Sequence, residues 1–140
     1  MAAILGLVGV LVGAGTTFAA TYYFELRRER RDAKAARAVA RSEIGEALRA
    51  IGASLAGNKW APGWQNKNWS ESWSNYRPIL AATMTEEDFQ SLADAYLEME
   101  LLQAGLAAGS KDLSEPDKDF LTKSAKQLTA SLIQCGGLDE

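Results

Sequence analysis

Histidine is absent from this chain of 140 residues, and cysteine occurs once, at Cys135. Histidine is the commonest general base and a frequent metal ligand, so its absence argues against most acid–base and zinc chemistry. A single cysteine cannot form an internal disulfide and fits a reducing compartment. With no histidine to activate it, Cys135 is predicted to be a partly buried thiol and not a nucleophile. We therefore predict no catalytic residue, no metal site and no cofactor, in a protein that is not an enzyme.

Charge is absent from the first 24 residues, which read MAAILGLVGVLVGAGTTFAATYYF. A helix rises about 1.5 Å per residue, so residues 2–24 span roughly 35 Å, enough to cross a hydrocarbon core of about 30 Å. The large apolar side chains together favour insertion by roughly 3 to 5 kcal/mol. Tyr22 and Tyr23 lie at the end of this run, where amphipathic rings prefer the headgroup level. The pattern predicts a transmembrane anchor over residues 1–24.

Three other interpretations of this run are weaker or excluded. A cleaved secretory signal needs a basic segment before a shorter apolar run and a small-x-small cleavage site, and Thr17-Phe18-Ala19 is only a weak match. A lipid-modified cysteine is excluded because Cys135 lies far from the apolar run. A buried helix of a water-soluble domain is the remaining alternative, and 24 uncharged residues would be unusual there.

Basic side chains follow the uncharged run at high density. Residues 27–41 contain seven basic side chains and only two acidic ones, Glu29 and Asp32. Positive flanks stay in the cytoplasm, which predicts a single-pass protein of the inner (plasma) membrane with its N-terminus outside and its C-terminal domain cytoplasmic. The side chains predicted to meet the anionic lipids of the inner leaflet are Arg27, Arg28, Arg30, Arg31, Lys34 and Arg37. Residues 56–140 carry thirteen acidic and seven basic side chains, which argues against nucleic acid as a partner.

Small residues share one face of the predicted anchor. Gly9 and Gly13 form a small-xxx-small pair, which lets two helix backbones approach closely. This face favours a homo-oligomer or docking on another membrane helix, although small residues are also common in single spans that make no such contact. The residues predicted for a helix–helix contact in the membrane are Gly6, Gly9, Gly13, Thr17 and Ala20.

The rest of the chain has helical periods and no strand pattern, so the predicted fold class is all-α. A basic juxtamembrane helix is expected over residues 25–57, continuous with the anchor and ended by Gly57-Asn58. Its second half carries an apolar stripe that must pack against other helices, at Ala40, Ile44, Ala47, Leu48, Ile51 and Leu55. Gly45 and Gly52 suggest a close helix contact there.

A small antiparallel helical bundle is predicted over residues 58–140. A short helix should begin near Ser70 or Ser72, with a kink or boundary near Arg77 because of Pro78. A longer helix should run from Glu86 to about Ala108, and its three leading acids are interpreted as a helix start in preference to a metal site. The last helix should open at Ser114-Glu115-Pro116-Asp117 and end at Gly136-Gly137.

All four tryptophans fall between positions 60 and 73. Trp69 and Trp73 lie at helical spacing and are predicted to fill the core of the bundle. Trp60 and Trp64 flank Pro62-Gly63 in a loop. They are candidates for contact with a partner or with lipid, because tryptophan is frequent at both kinds of interface.

Three segments after the uncharged run carry a resemblance to known proteins. In chain order they read RRERRDAKAARA, WSNYRPILAATM and MTEEDFQSLADAYLEMELL. In this arrangement the chain resembles small uncharacterised membrane-anchored helical proteins of actinobacteria and their prophages. The resemblance implies an anchored helical domain and supplies no catalytic residue. We expect a membrane-anchored scaffold or regulatory interaction protein with an unidentified protein partner. The alternative is a holin-like phage lysis or membrane-remodelling factor that oligomerises through the glycine-rich face.

Overall fold

A computed structural model of the chain describes residues 2–61, 67–108 and 112–136, with side chains for residues 14, 16–61, 67–104 and 112–134. Within these ranges the chain is helical, which confirms the predicted all-α class and the helical bundle, and the sole β-type pairing is an isolated bridge between Lys59 and Asp112. The helices are α1 (Ala2–Gly57), α2 (Trp69–Thr83), α3 (Glu86–Ala108) and α4 (Glu115–Gly136). The chain divides into two compact units, Met1–Lys34 and Ala35–Glu140.

The predicted anchor is helical from Ala2 onward, as the first part of α1. Among the described residues, no helix is long and apolar enough to cross a membrane. The side chains of residues 1–13 and 15 lie outside the described ones, and so does the side chain of Cys135. The transmembrane span therefore stays a prediction from the sequence.

Each of the three shorter helices begins at a capping side chain that bonds the residue three positions later. Asn68 Oδ1 accepts a hydrogen bond from the Glu71 N–H at 3.2 Å, and the Asn68 amide donates to the Glu71 carboxylate at 2.7 Å. Thr85 with Asp88, and Ser114 with Asp117, repeat this exchange. Such caps satisfy amide groups that the first helical turn leaves without partners. They explain why the predicted starts of α3 and α4 are confirmed.

The second helix differs from its prediction at both the start and Pro78. Its cap is Asn68, two residues before the expected serine. It continues through Pro78 to Thr83, so the boundary expected near Arg77 as one of two alternatives is wrong, and the kink stays a prediction. The proline removes one backbone donor from the helix, but Pro78 and Ser74 are both exposed, so water can satisfy the Ser74 carbonyl.

The end of α1 is fixed by a left-handed residue. Asn58 has φ 51°, and the Lys59 N–H donates to the Ser54 carbonyl at 3.1 Å. The Asn58 N–H donates to the Leu55 carbonyl at 3.4 Å, which completes a Schellman motif. The predicted stop at Gly57-Asn58 is thereby confirmed.

The core of the Ala35–Glu140 unit is built from all four helices. Its buried members are Ala36, Ala40, Ile44, Ala47 and Ile51 of α1, Trp69 and Leu80 of α2, Leu92, Ala95, Tyr96, Met99 and Leu102 of α3, Leu121 and Leu128 of α4, and Leu113. The predicted stripe of α1 does pack, and it starts one turn earlier, at Ala36. The close contact expected at the α1 glycines is wrong, because a Cβ atom at Gly52 would meet nothing within 4 Å and one at Gly45 would meet only the Arg49 side chain at 3.9 Å.

Hydrogen bonds that side chains make between different helices show the relative directions of neighbouring helices. Ser91 bonds Ser131 at 3.1 Å, and Ser124 donates to Glu98, so α3 and α4 run antiparallel. The Arg37 guanidinium donates to the Thr83 carbonyl at the end of α2, and Lys67, just before α2, donates to Glu46. These two links make α1 and α2 antiparallel as well, in agreement with the predicted bundle.

Candidate functional site: an aromatic and basic segment of α1

Four aromatic side chains lie exposed within seven residues of α1. The exposed fractions are 76% for Phe18, 59% for Tyr22, 54% for Tyr23 and 68% for Phe24. A water-soluble helix rarely presents four neighbouring rings to solvent, whereas aromatic rings concentrate where a membrane helix leaves the hydrocarbon. We call this stretch, residues 18–24, the aromatic segment.

A hydroxyl inside this segment is satisfied by its own helix. Thr21 Oγ1 donates to the Thr17 carbonyl at 2.9 Å. Such a bond removes the need for water at the hydroxyl and is tolerated in apolar surroundings. Thr17 and Ala20, of the predicted membrane contact, are exposed, while the side chains of Gly6, Gly9 and Gly13 lie outside the described ones.

Exposed cations begin directly after the aromatic segment, at Arg27, Arg28, Arg30, Arg31 and Lys34. The Arg27 guanidinium carbon lies 5.1 Å from the centre of the Tyr23 ring, a cation–π contact that joins the two groups. Arg28 pairs with Asp32 at 3.8 Å, and both side chains are exposed. An exposed pair of this kind adds little stability, but it partly neutralises Arg28.

Arg37 behaves differently from the other predicted membrane-surface cations. It is half-buried, and its Nη2 atom donates to the Thr83 carbonyl at 2.7 Å. Its Nε atom is buried and has no hydrogen-bond partner among the described residues. A cation at a helix C-terminus stabilises carbonyl groups that the last turn leaves free. The geometry therefore gives Arg37 a structural role in the bundle, which the sequence does not reveal because its partner lies 46 residues away.

The tryptophans take up different positions. Trp69 is 3% exposed and belongs to the core, as predicted. Trp73 also packs against the core: its ring stacks on Tyr96 at 4.8 Å and on Phe89 at 5.6 Å, each between ring centres. Trp60 is half-buried against the same core, and Trp64 lies outside the described residues. Contact of Trp60 and Trp64 with a partner or lipid stays a prediction.

An open groove of about 430 Å³ lies between α3 and α4, and the sequence does not predict it. Seven of its eight lining residues have polar or charged side chains; the lining consists of Glu87, Gln90, Ser91, Asp94, Gln127, Ala130, Ser131 and Gln134. Several of these groups already bond one another, as Gln90 does with Asp94 at 2.9 Å. Among the described residues, no three histidine, cysteine or acidic side chains are grouped so that they could hold a metal ion.

No protein-family model, curated protein or solved structure matches this chain. The resemblance to the anchored actinobacterial and prophage proteins therefore stays a prediction, and its functional meaning depends on the residues themselves.

Proposed function

We propose that the protein is a single-pass, membrane-anchored interaction protein whose helical bundle faces the cytoplasm. The observation that carries the proposal is the order of surfaces along α1: an uncharged run, then four exposed aromatic side chains, then exposed cations. Lipid tails, the interface and the anionic headgroup region favour these three kinds of side chain in the same order. The proposed span uses residues 1–24, most of whose side chains lie outside the described ones.

The bundle supports a role in protein contacts. The core side chains of the bundle are buried, but two large apolar side chains of α3 are not. Leu97 and Leu101, one turn apart, are 56% and 50% exposed. A pair of exposed leucines on one helix face is a modest apolar surface of the kind that helps to form protein interfaces. This supports a scaffold or regulatory task for the cytoplasmic part.

Membrane anchoring is tested by alkaline carbonate extraction of membranes from cells that express the full chain. The wild-type protein should stay in the membrane pellet. An arginine at the centre of the run, Val12→Arg, costs about 2.5 to 3.5 kcal/mol, comparable with the whole insertion energy, and should release a large fraction of the protein from the pellet. Ala81→Arg adds the same charge on an exposed position of α2 and should leave the protein in the pellet. Release of the wild-type chain into the supernatant would contradict the anchor.

The orientation is tested with Cys135, the sole cysteine. A thiol reagent that cannot cross membranes should fail to label Cys135 in intact cells and should label it after denaturing lysis. Equal labelling in both conditions would place the bundle outside the cell.

The interaction role is tested with a photoreactive amino acid at Leu101, introduced in the anchored full chain. Irradiation should give a discrete heavier product that the same group at exposed Thr122 of α4 does not give. Identical product patterns at the two positions would remove the support that the leucine pair gives to this role.

A further inference from the structure

The cations after the aromatic segment are not spread evenly around α1. At about 100° per residue, Arg27, Arg30, Arg31 and Lys34 lie within an arc of roughly 100°. The acidic side chains Glu25, Glu29 and Asp32 lie within an arc of roughly 60° on the opposite side. We call the four cations the basic face.

The ion pair between Arg28 and Asp32 increases the separation of charge between the basic and the acidic side of α1. Arg28 lies between the two faces, and its contact with Asp32 at 3.8 Å draws it toward the acidic side. The members of the basic face are all exposed, and the structure gives them no ion pair with a described residue. The face therefore carries four positive charges that no carboxylate of the described chain offsets.

The aromatic segment continues onto the basic face. On the same helical wheel, Tyr23 and Phe24 flank the line of Arg27, and Arg27 already contacts the Tyr23 ring. One side of α1 thus presents two exposed rings followed by four exposed cations. Rings that bury their apolar bodies at the interface and cations that reach phosphates fit a lipid surface better than the face of an acidic protein.

We propose that the basic face selects anionic phospholipids, binding their phosphate groups through Arg27, Arg30, Arg31 and Lys34, while Arg28 and Arg37 take no part. The inference rests on the proposed anchor, because the anchor holds the face at headgroup level. The preference for anionic lipid then depends on the arrangement of the cations on one face of α1, and not on the net charge of the segment. The acidic face keeps the opposite side of the helix away from the same lipids.

A composition-matched variant separates arrangement from net charge. Exchanging neighbours in the quadruple substitution Glu29→Arg, Arg30→Glu, Arg31→Asp and Asp32→Arg keeps every residue type and the total charge. It moves two cations to the former acidic side and two acids into the basic face. A second variant, Arg28→Gln, removes one positive charge and leaves the basic face intact.

The full chain and both variants are reconstituted into phosphatidylcholine vesicles that contain a trace of spin-labelled lipid. Electron paramagnetic resonance then measures the fraction of labelled lipid that the protein immobilises, for labelled phosphatidylglycerol and for labelled phosphatidylcholine. The wild-type protein and Arg28→Gln should enrich phosphatidylglycerol by about threefold or more at low salt, and 0.5 M salt should abolish most of the enrichment. The exchanged variant should show nearly equal immobilisation of the two lipids.

The outcomes distinguish this inference from the anchor. If the wild-type chain immobilises both lipids equally, or if the exchanged variant keeps the full enrichment, the basic face is overturned and the anchor stands. If the wild-type chain immobilises neither lipid, both proposals fail together.

Discussion

The hydrogen bond between Tyr96 and Glu43 offers a sharp test of how the bundle is held together. Tyr96 is 1% exposed, and its hydroxyl donates to Glu43 Oε2 at 2.5 Å. The bond joins α1 to α3 over 53 residues of sequence. The ring itself stacks on Trp73, so Tyr96→Phe removes the hydroxyl and keeps the apolar packing.

The expected loss follows from the partners. A hydrogen bond to a charged group contributes about 1.5 to 3 kcal/mol. Glu43 is only half-buried, so water can solvate its carboxylate once the hydroxyl is gone, which places the effect near the lower limit. We expect Tyr96→Phe to lower the free energy of unfolding by about 1.5 kcal/mol. Tyr96→Ala also empties the stacking position and should cost about 3 to 5 kcal/mol.

Urea unfolding of the full chain in a mild non-ionic detergent measures these losses, with circular dichroism and tryptophan fluorescence as independent probes. A double-mutant cycle with Glu43→Ala isolates the pair and should give a coupling energy of about 1 to 2 kcal/mol. The matched control is Tyr76→Phe in the same cycle with Glu43→Ala, because it removes the hydroxyl of a half-buried tyrosine that also packs against the core. A coupling below about 0.5 kcal/mol for the Tyr96 pair, no larger than that of the control, would refute the reasoning.

Three further changes should alter stability in the same urea assay. Gly52→Ala should raise the free energy of unfolding by about 1 kcal/mol, because alanine favours the helix and its Cβ meets nothing within 4 Å; a loss would reveal a contact there. Arg37→Met should lower the free energy of unfolding by about 1 to 2 kcal/mol, since the Thr83 carbonyl loses a charged donor, and an unchanged midpoint would contradict that role. The Lys67 ammonium lowers the pKa of the Glu46 carboxyl below its usual value of 4.5. The bond therefore stabilises the fold above that value, and this contribution is lost as the pH falls through the lowered pKa. Lys67→Met should cost less than about 1 kcal/mol at pH 7, because both side chains are partly exposed, and the cost should shrink as the pH falls below 4.5; a cost that does not change with pH would count against the pair.

Helix ends were the part of the fold that the sequence predicted best. Thr85 and Ser114 each stand three residues before an acid, and Gly57-Asn58 combines the two residue types that most readily end a helix. These signals act within one turn, so they can be read without knowing the fold. The start of α2 was missed because Asn68 caps a helix whose first residues, Trp69-Ser-Glu-Ser, offered two serines as competing caps.

The contacts between helices could not be predicted in the same way. Alanine is compatible with both burial and exposure, so the burial of Ala36 had no sequence signal beyond a weak period. In the sequence, Arg37 is one of several cations in a basic segment. Its partner is a backbone carbonyl, and because every residue has one, the sequence does not indicate which carbonyl it binds. The groove between α3 and α4 likewise depends on how two helices pack. Its lining residues are mostly polar or charged, so they produce no apolar period in the sequence.

The exposure of aromatic side chains differs between the two compact units, and this difference supports the proposal that α1 begins in lipid. Among the described residues of the Ala35–Glu140 unit, the large apolar side chains that remain exposed are single residues or one pair, as on most water-soluble domains, and the aromatic rings pack against the core. In the Met1–Lys34 unit, four aromatic rings and Leu26 are exposed within nine residues of one helix. If water surrounded both units, aromatic side chains would be exposed in the first part of α1 and packed against the core in the described part of the second unit, without a physical reason for the difference. The proposed membrane anchor would remove the contradiction, because lipid is the preferred surrounding of exposed aromatic rings and of the uncharged residues before them.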